Sequence, residues 1–373
     1  MTAASARRLE ALAANCSRFL SGDGPRSVPG LLDQIPDDTA PDVYGHGGVV
    51  EKLEVEIARL LGKEAALFIP TGTMAQQATL RVHCDRRSCH TVAMHRFCHL
   101  RQHEEGALTR LHGLSDALAG VPWEPMAPLD AVSLASIKEP VGALLVELPQ
   151  RDLGGHLPTW NELVAIVEWA RERGAAVHLD GARLWEAAPY YATGAKKDLA
   201  AISALFDTVY VSFYKGLGAI AGCCVAGTRE VIDELEVWRV RHGARPYMMW
   251  PYAASALSVV RERPRDMFAY YRRAQAIARE IRALDGPDVL PERVRSPMMH
   301  LRIRATRDEM DARVAEVAES TSVWTFTRPF VSEGHRLQRY EFQVGRATME
   351  LSLDEAVAII ARLNGQRPRR PRR

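Results

Sequence analysis

The chain has 373 residues, 47% of them hydrophobic and 25% charged, with a formal net charge of +2. That length accommodates two domains around a sizeable core, and the charge balance excludes a broad basic surface for nucleic acid: the last seven residues carry five arginines, which leaves the rest at −3. No apolar run approaches the ~20 residues of a membrane helix, and Met1-Thr2-Ala3-Ala4-Ser5-Ala6-Arg7-Arg8 lacks the apolar core of a signal peptide. A cytoplasmic protein with no membrane and no nucleic-acid partner is therefore expected, and Cys16, Cys84, Cys89, Cys98, Cys223 and Cys224 count as reduced thiols.

Residues 1–45 read as an N-terminal helix followed by a Gly/Pro-rich arm that holds Ser21 and ends in Asp42-Val43-Tyr44-Gly45. From 46 to 250, short apolar runs alternate with helical patterns such as 159–172, which predicts a large domain built on a mostly parallel sheet covered by helices. Within it, Leu67-Phe68-Ile69-Pro70 is a strand that must stop at proline, and Thr71-Gly72-Thr73 then opens a helix. The free N–H groups and partial positive charge of a helix start suit a phosphate, although the same residues also serve as plain N-caps.

The stretch 83–103 is dense in His83, Cys84, Cys89, His90, His95, Cys98, His99 and His103. Such density could hold zinc, but it contains no Cys-x-x-Cys pair and only His95/His99 and His99/His103 at helical spacing, so no metal is expected. Further on, Val177-His178-Leu179-Asp180-Gly181-Ala182-Arg183 and Val209-Tyr210-Val211-Ser212-Phe213-Tyr214-Lys215-Gly216 each read as an apolar strand ending in one ionisable residue followed by glycine. Strand ends are where α/β sheets bind ligands, and burying a lone carboxylate or ammonium is costly unless a partner or a pKa shift relieves it. Lysine is scarce, six of the 48 basic residues, and Lys215 alone among the six follows a strand.

A lysine in an apolar setting deprotonates readily, and a neutral amine attacks an aldehyde to form a Schiff base. The pair suggests pyridoxal 5'-phosphate, with Lys215 on its aldehyde and Asp180 on its pyridine nitrogen. The alternative is a surface lysine in a glycine-rich turn. Arg183 suits a substrate α-carboxylate through two parallel N–H bonds, or else braces Asp180. Ser212 is a second candidate phosphate ligand. Residues 251–284 then read as helical, strands are expected near 299–303, 323–326 and 340–344 and a helix over 353–363, so 251–363 forms a smaller α+β domain. Residues 364–373 form a disordered basic tail.

Four blocks carry a resemblance: Asp42-Val43-Tyr44-Gly45, the run 61–74, Asp180-Gly181-Ala182-Arg183 and Lys215-Gly216-Leu217-Gly218. Across residues 17–260 the chain resembles the threonine aldolase and β-eliminating lyase family of fold-type-I (aspartate-aminotransferase-like) pyridoxal-phosphate enzymes. The resemblance implies a phosphate on Thr71, Gly72 and Thr73, a ring-stacking histidine at His99, a carboxylate contact from Arg183 with Ser21 as a second, and a homodimer or homotetramer. It also exposes departures. Gln150 stands where the family has a second active-site histidine, Tyr214 where it has a small serine, and Gln343 near its C-terminal carboxylate-binding arginine, for which Arg346 is the nearest substitute.

The activity implied is retro-aldol cleavage of a β-hydroxy-α-amino acid to glycine and an aldehyde, with Lys215, Asp180 and His99 catalytic and Gln150 facing the substrate. Two other readings remain open: β-elimination of a leaving group, with Lys215 as proton carrier, and a pyridoxal-phosphate-binding module without catalysis.

Overall fold

Ala65–Ile69 (β1) is buried along its whole length, the condition of a strand covered on both faces, and the chain leaves it at Pro70 to enter the helix Gly72–Arg86. The computed structural model describes residues 3–120, 127–284 and 287–366. The arginine-rich end expected to be disordered, 367–373, lies outside them. Asn364, Gly365 and Gln366 are described, and each donates its N–H to a carbonyl of the preceding helix.

Among the described residues, β1, Thr91–His95 (β2), Ser115–Ala119 (β3), Ala143–Glu147 (β4), Ala176–Gly181 (β5), Thr208–Ser212 (β6) and Cys223–Gly227 (β7) form one sheet in the order β1-β7-β6-β5-β4-β2-β3. The neighbours from β6 across to β3 are parallel, whereas β7 runs antiparallel to both β1 and β6. β1 and β6 therefore point the same way with β7 between them. Four strands, β1, β5, β6 and β7, have every residue buried, and helices connect most of the parallel neighbours, as alternation in the sequence predicts.

The helices used below are Gly48–Leu61 (α1), Gly72–Arg86 (α2), His99–His103 (α3), Trp160–Arg171 (α4) and Trp250–Glu262 (α5). α4 starts on a reciprocal cap in which Thr159 Oγ1 accepts from Glu162 N at 3.3 Å and the Glu162 carboxylate accepts from Thr159 N at 2.6 Å. α2 is covered nearly all round and buries Gln76, Gln77 and His83 along with its apolar residues. The 251–284 stretch is not one helix. It breaks around Pro264, which has no N–H to donate, into α5 and Met267–Ala283 (α6).

The chain divides into two compact units, Ser27–Arg265 and, together, Met1–Arg26 with Asp266–Arg373. α5, expected in the smaller domain, packs on α1 in the larger unit. In the other unit, Asp288–Leu290 (β8), Met298–Ile303 (β9), Val331–Gly334 (β10) and Leu337–Gln343 (β11) form an antiparallel sheet in the order β10-β11-β9-β8, with α6, Arg307–Thr321 (α7) and Leu353–Leu363 (α8) around a core that includes Met299, Leu301, Ile303, Ile277, Val314 and Ile360. No helix among the described residues is long and apolar enough to cross a membrane.

One part-buried acid in the larger unit gives a pH prediction. Glu54 of α1 accepts the Phe68 N–H at 2.8 Å, and burial lifts its pKa to about 7. Its folded pKa exceeds its unfolded one, so the charge opposes folding above pH 7, and that opposition fades as pH falls through 7 toward 4.5. Glu54→Gln keeps the acceptor oxygen without the charge. Urea midpoints should therefore favour the variant over the parent increasingly from pH 5 to pH 8, by about 3 kcal/mol in total. A pH-independent difference would show that Glu54 ionises as freely folded as unfolded.

Candidate active site

β4, β5 and β6 end side by side. Glu147 sits opposite Asp180 and Asp180 opposite Tyr210, while Ser212 closes β6 and Lys215 follows three residues on. A parallel sheet thus brings two carboxylates and an ammonium to one edge. Asp180 is 2% exposed, and its Oδ1 accepts from Ala182 N at 3.0 Å. Burial raises its pKa, and the Lys215 charge, the Ala182 N–H, the Gln76 amide and Arg183 pull it back. Lys215 is shifted the other way: burial lowers its pKa and Arg183 adds to the effect, against the pull of Asp180, Glu147 and Glu186. Its amine is therefore more readily neutral than that of a surface lysine. Glu147 is raised by burial and by the neighbouring Asp180, so of the two carboxylates Asp180, with the cations beside it, keeps the charge.

The turn after β1 supplies a helix start with unspent donors. Thr71 is the N-cap of α2 in extended conformation, and its side chain makes no capping hydrogen bond. Gly72 is required by a close approach, since a Cβ there would run into the Tyr210 hydroxyl; likewise a Cβ on Gly216, next to Lys215, would run into the Glu186 carboxylate. Ser212 Oγ is buried beside the Tyr210 and Tyr214 hydroxyls.

The histidine-rich stretch divides by partner. His95 accepts on Nδ1 from Gln150 Nε2 at 2.6 Å and from Phe97 N at 3.0 Å, and its Nε2 faces the Ala127 carbonyl at 2.9 Å. His103 turns to Asp152 at 3.0 Å. His99 opens α3 and gives its backbone N–H to Glu147 Oε2 at 3.0 Å, while Arg151 N occupies Oε1 at 2.9 Å. Burial, with Lys215 second, drops the His99 ring to about 3, so it is neutral at physiological pH. His99 and His103 lie ring to ring, with centroids 4.9 Å apart.

Of the residues singled out in the sequence, Lys215 and Arg183 lie within electrostatic reach of each other and of both Asp180 and His99. Thr73 joins them through Glu104, which accepts from Gln77 Nε2 at 2.8 Å and is lifted to about 7, chiefly by burial. Arg183 Nε is 4.0 Å from Glu186 Oε1. Gln150 is 5% exposed and holds His95. Ser21 belongs to the other unit, where its Oγ accepts from Gln343 N at 3.0 Å, and Arg346 N in that unit donates to Asp23 at 3.0 Å. Sequence reading passed over Glu104, Glu147 and Gln76. Glu104 and Glu147 adjoin segments already singled out, but their role depends on which strand ends meet.

A family model described as β-eliminating lyase matches residues 37–304. The chain belongs to this family. Along nearly its whole length the lyase is similar to two solved structures at 35% identity. One, from Listeria monocytogenes, is provisionally described as an L-allo-threonine aldolase, with a TM-score of 0.90 over 97% of this chain and 99% of that one. The other, from Exiguobacterium sp., is likewise provisionally described as an aromatic amino acid β-eliminating lyase/threonine aldolase and has a TM-score of 0.88 over 96% and 99%. The low specificity L-threonine aldolase of Escherichia coli is 28% identical over 293 residues, 78% of this chain and 84% of its own. The lyase has the fold-type-I architecture expected from its sequence.

Proposed function

We propose that the protein is a pyridoxal-phosphate-dependent aldolase that cleaves or forms the Cα–Cβ bond of a β-hydroxy-α-amino acid such as threonine, with glycine and an aldehyde on the other side of the reaction. The observation that carries the reading is the meeting of a part-buried Lys215 and a buried Asp180 at one sheet edge, in a chain similar over nearly its whole length to a protein provisionally described as an L-allo-threonine aldolase. The donor set fits the cofactor: a lysine amine for its aldehyde, a carboxylate for its ring nitrogen, and for its phosphate an uncapped helix start with the buried Ser212 hydroxyl. When bound, pyridoxal phosphate supplies the electron sink that stabilises negative charge at Cα.

The chain's own groups do the rest. Lys215, held toward its neutral form, would be the covalent anchor for the cofactor's aldehyde. Asp180 keeps a proton on the ring nitrogen. Thr71, Gly72, Thr73 and Ser212 hold the phosphate. Arg183 receives the substrate carboxylate, with Gln150 as a further substrate contact. His99 would stand beside the bound ring, and its neutral imidazole would receive the β-hydroxyl proton directly or through water. Glu104, near pH 7 in its ionisation, is the second group able to take that proton.

The base is tested by substitution. His99→Phe keeps an aromatic ring but no titratable nitrogen, so it should retain the cofactor's absorption band and slow aldehyde release from threonine by about 10² to 10⁴-fold, whereas Gln150→Ala should cost much less. An unchanged rate in His99→Phe, with loss in Glu104→Gln, would move the base to Glu104. Release of ammonia and an oxo acid instead of glycine and an aldehyde would assign β-elimination, and cofactor uptake with neither product would assign a binding module. The reading includes a homodimer or homotetramer, supported by the exposed side chains of Val43, Tyr44, Tyr247, Met248 and Tyr252 on the larger unit.

A further inference from the structure

α2 is buried on more than one face, so its polar side chains must find partners inside the protein. Gln76 and His83 are seven residues apart, two turns, and share a face. That face meets β5, where His178 and Asp180 alternate onto one side, and β6, where Thr208 lies directly opposite His178. The result is a continuous buried series. His83 Nε2 is 2.8 Å from Thr208 Oγ1, Thr208 Oγ1 is 2.8 Å from His178 Nδ1, and His178 Nε2 is 2.6 Å from Gln76 Oε1. The Gln76 amide hydrogen-bonds Asp180.

Its direction follows from the donor inventory. A carboxylate only accepts, so Gln76 donates to Asp180 with its NH₂, and its Oε1 must accept from His178 Nε2–H. Burial drops both histidines to about 3, so each ring is neutral and carries one N–H. His178 Nδ1 then lacks a proton and accepts from the Thr208 hydroxyl, whose oxygen accepts from His83 Nε2–H. Every donor points toward the carboxylate. Aligned hydrogen bonds polarise one another, so such a series is stronger at its end than its last bond alone. At the far end His83 lines a cavity of about 500 Å³ with Lys63, Arg86, Arg87, Arg171 and Asp207.

We propose that His83, Thr208, His178 and Gln76 form a one-way relay of positioning residues that fixes the orientation of the Asp180 carboxylate and keeps its charge available for the cofactor's ring nitrogen. The inference rests on the function proposed above. The other groups facing Asp180 are Lys215, Arg183, Glu147, Glu104, Tyr210, Tyr214, Cys98 and Cys223, and none of them belongs to the relay.

The test uses the holoenzyme with ¹⁵N-labelled cofactor, and ¹⁵N-histidine labelling of the same protein. In the parent, both His83 and His178 should be neutral and protonated on Nε2 at pH 7, and the cofactor's ring nitrogen should be protonated. Thr208→Val removes the central hydroxyl at nearly constant volume, and Gln76→Met removes the last donor. Each should move the ring-nitrogen shift toward the unprotonated value and lower kcat for threonine by roughly tenfold or more, with KM unchanged within twofold. Thr208→Ser should restore both readouts. A His178 protonated on Nδ1, variants with the parent's nitrogen shift and kcat, or a Thr208→Ser no better than Thr208→Val would overturn the relay. A parent that takes up no pyridoxal phosphate would overturn the functional reading and the relay together, whereas a parent that binds it normally beside silent variants would overturn the relay alone.

Discussion

Lys215→Ala is expected to abolish the covalent attachment of pyridoxal phosphate and to lower turnover of threonine by on the order of 10⁴-fold or more, as removal of a covalent catalyst does. The lysine sits in a setting that weakens its hold on a proton, and two other lysines are already engaged: Lys63 gives its ammonium to the Phe206 carbonyl, and Lys138 gives its own to the Ala135 carbonyl. Borohydride reduction of the parent followed by peptide mapping should label Lys215. The variant, passed through a desalting column, should lose the cofactor and its visible band. A label on another lysine, or a band that survives desalting in the variant, would refute the assignment.

Asp180→Ala should give the second largest loss and separate binding from chemistry. The phosphate contacts at Thr71, Gly72, Thr73 and Ser212 remain, as does Lys215, so cofactor is retained with reduced affinity. The ring nitrogen, however, faces a cavity where a buried charged partner stood, a change typically worth 3 to 5 kcal/mol, or about 10² to 10⁴-fold in rate. Absorbance titration with pyridoxal phosphate and steady-state aldehyde release read the two effects separately. Turnover within a few-fold of the parent would mean that Asp180 does not sustain the electron sink.

How much of this was legible before folding depends on the range of the interaction. Asp180 and Lys215 announce themselves locally, because an apolar run ending in one charge and a glycine is visible within seven residues. The helix start at 71–73 is legible for the same reason, as is the stop at Pro70. The histidine-rich stretch shows the limit. Composition makes His83, His95, His99 and His103 look alike, yet one joins Thr208, one Gln150, one the Lys215 neighbourhood and one Asp152, since strand end, turn and helix point them to different sides. Gln76, Glu104 and Glu147 escaped notice because nothing within their own segments marks them. The 251–284 segment misled in the ordinary way, as its apolar pattern continues across Pro264 although its backbone hydrogen bonds do not.

The antiparallel strand β7 has a metric consequence. With adjacent strands about 4.8 Å apart, inserting one strand between β1 and β6 sets their ends roughly 10 Å apart along the sheet edge. The uncapped turn leaves from one of those ends and the lysine loop from the other. A ligand gripped at both lies across the strand ends and not down the strands, and because pyridoxal phosphate carries its aldehyde and phosphate on neighbouring ring carbons, the long lysine stem and the loop that bears it must span the rest of the gap. The sheet thus serves as a ruler whose unit is one strand. A short aldehyde without an anionic group can reach only one mark, and a molecule that reaches both has its place along the edge fixed before the substrate arrives.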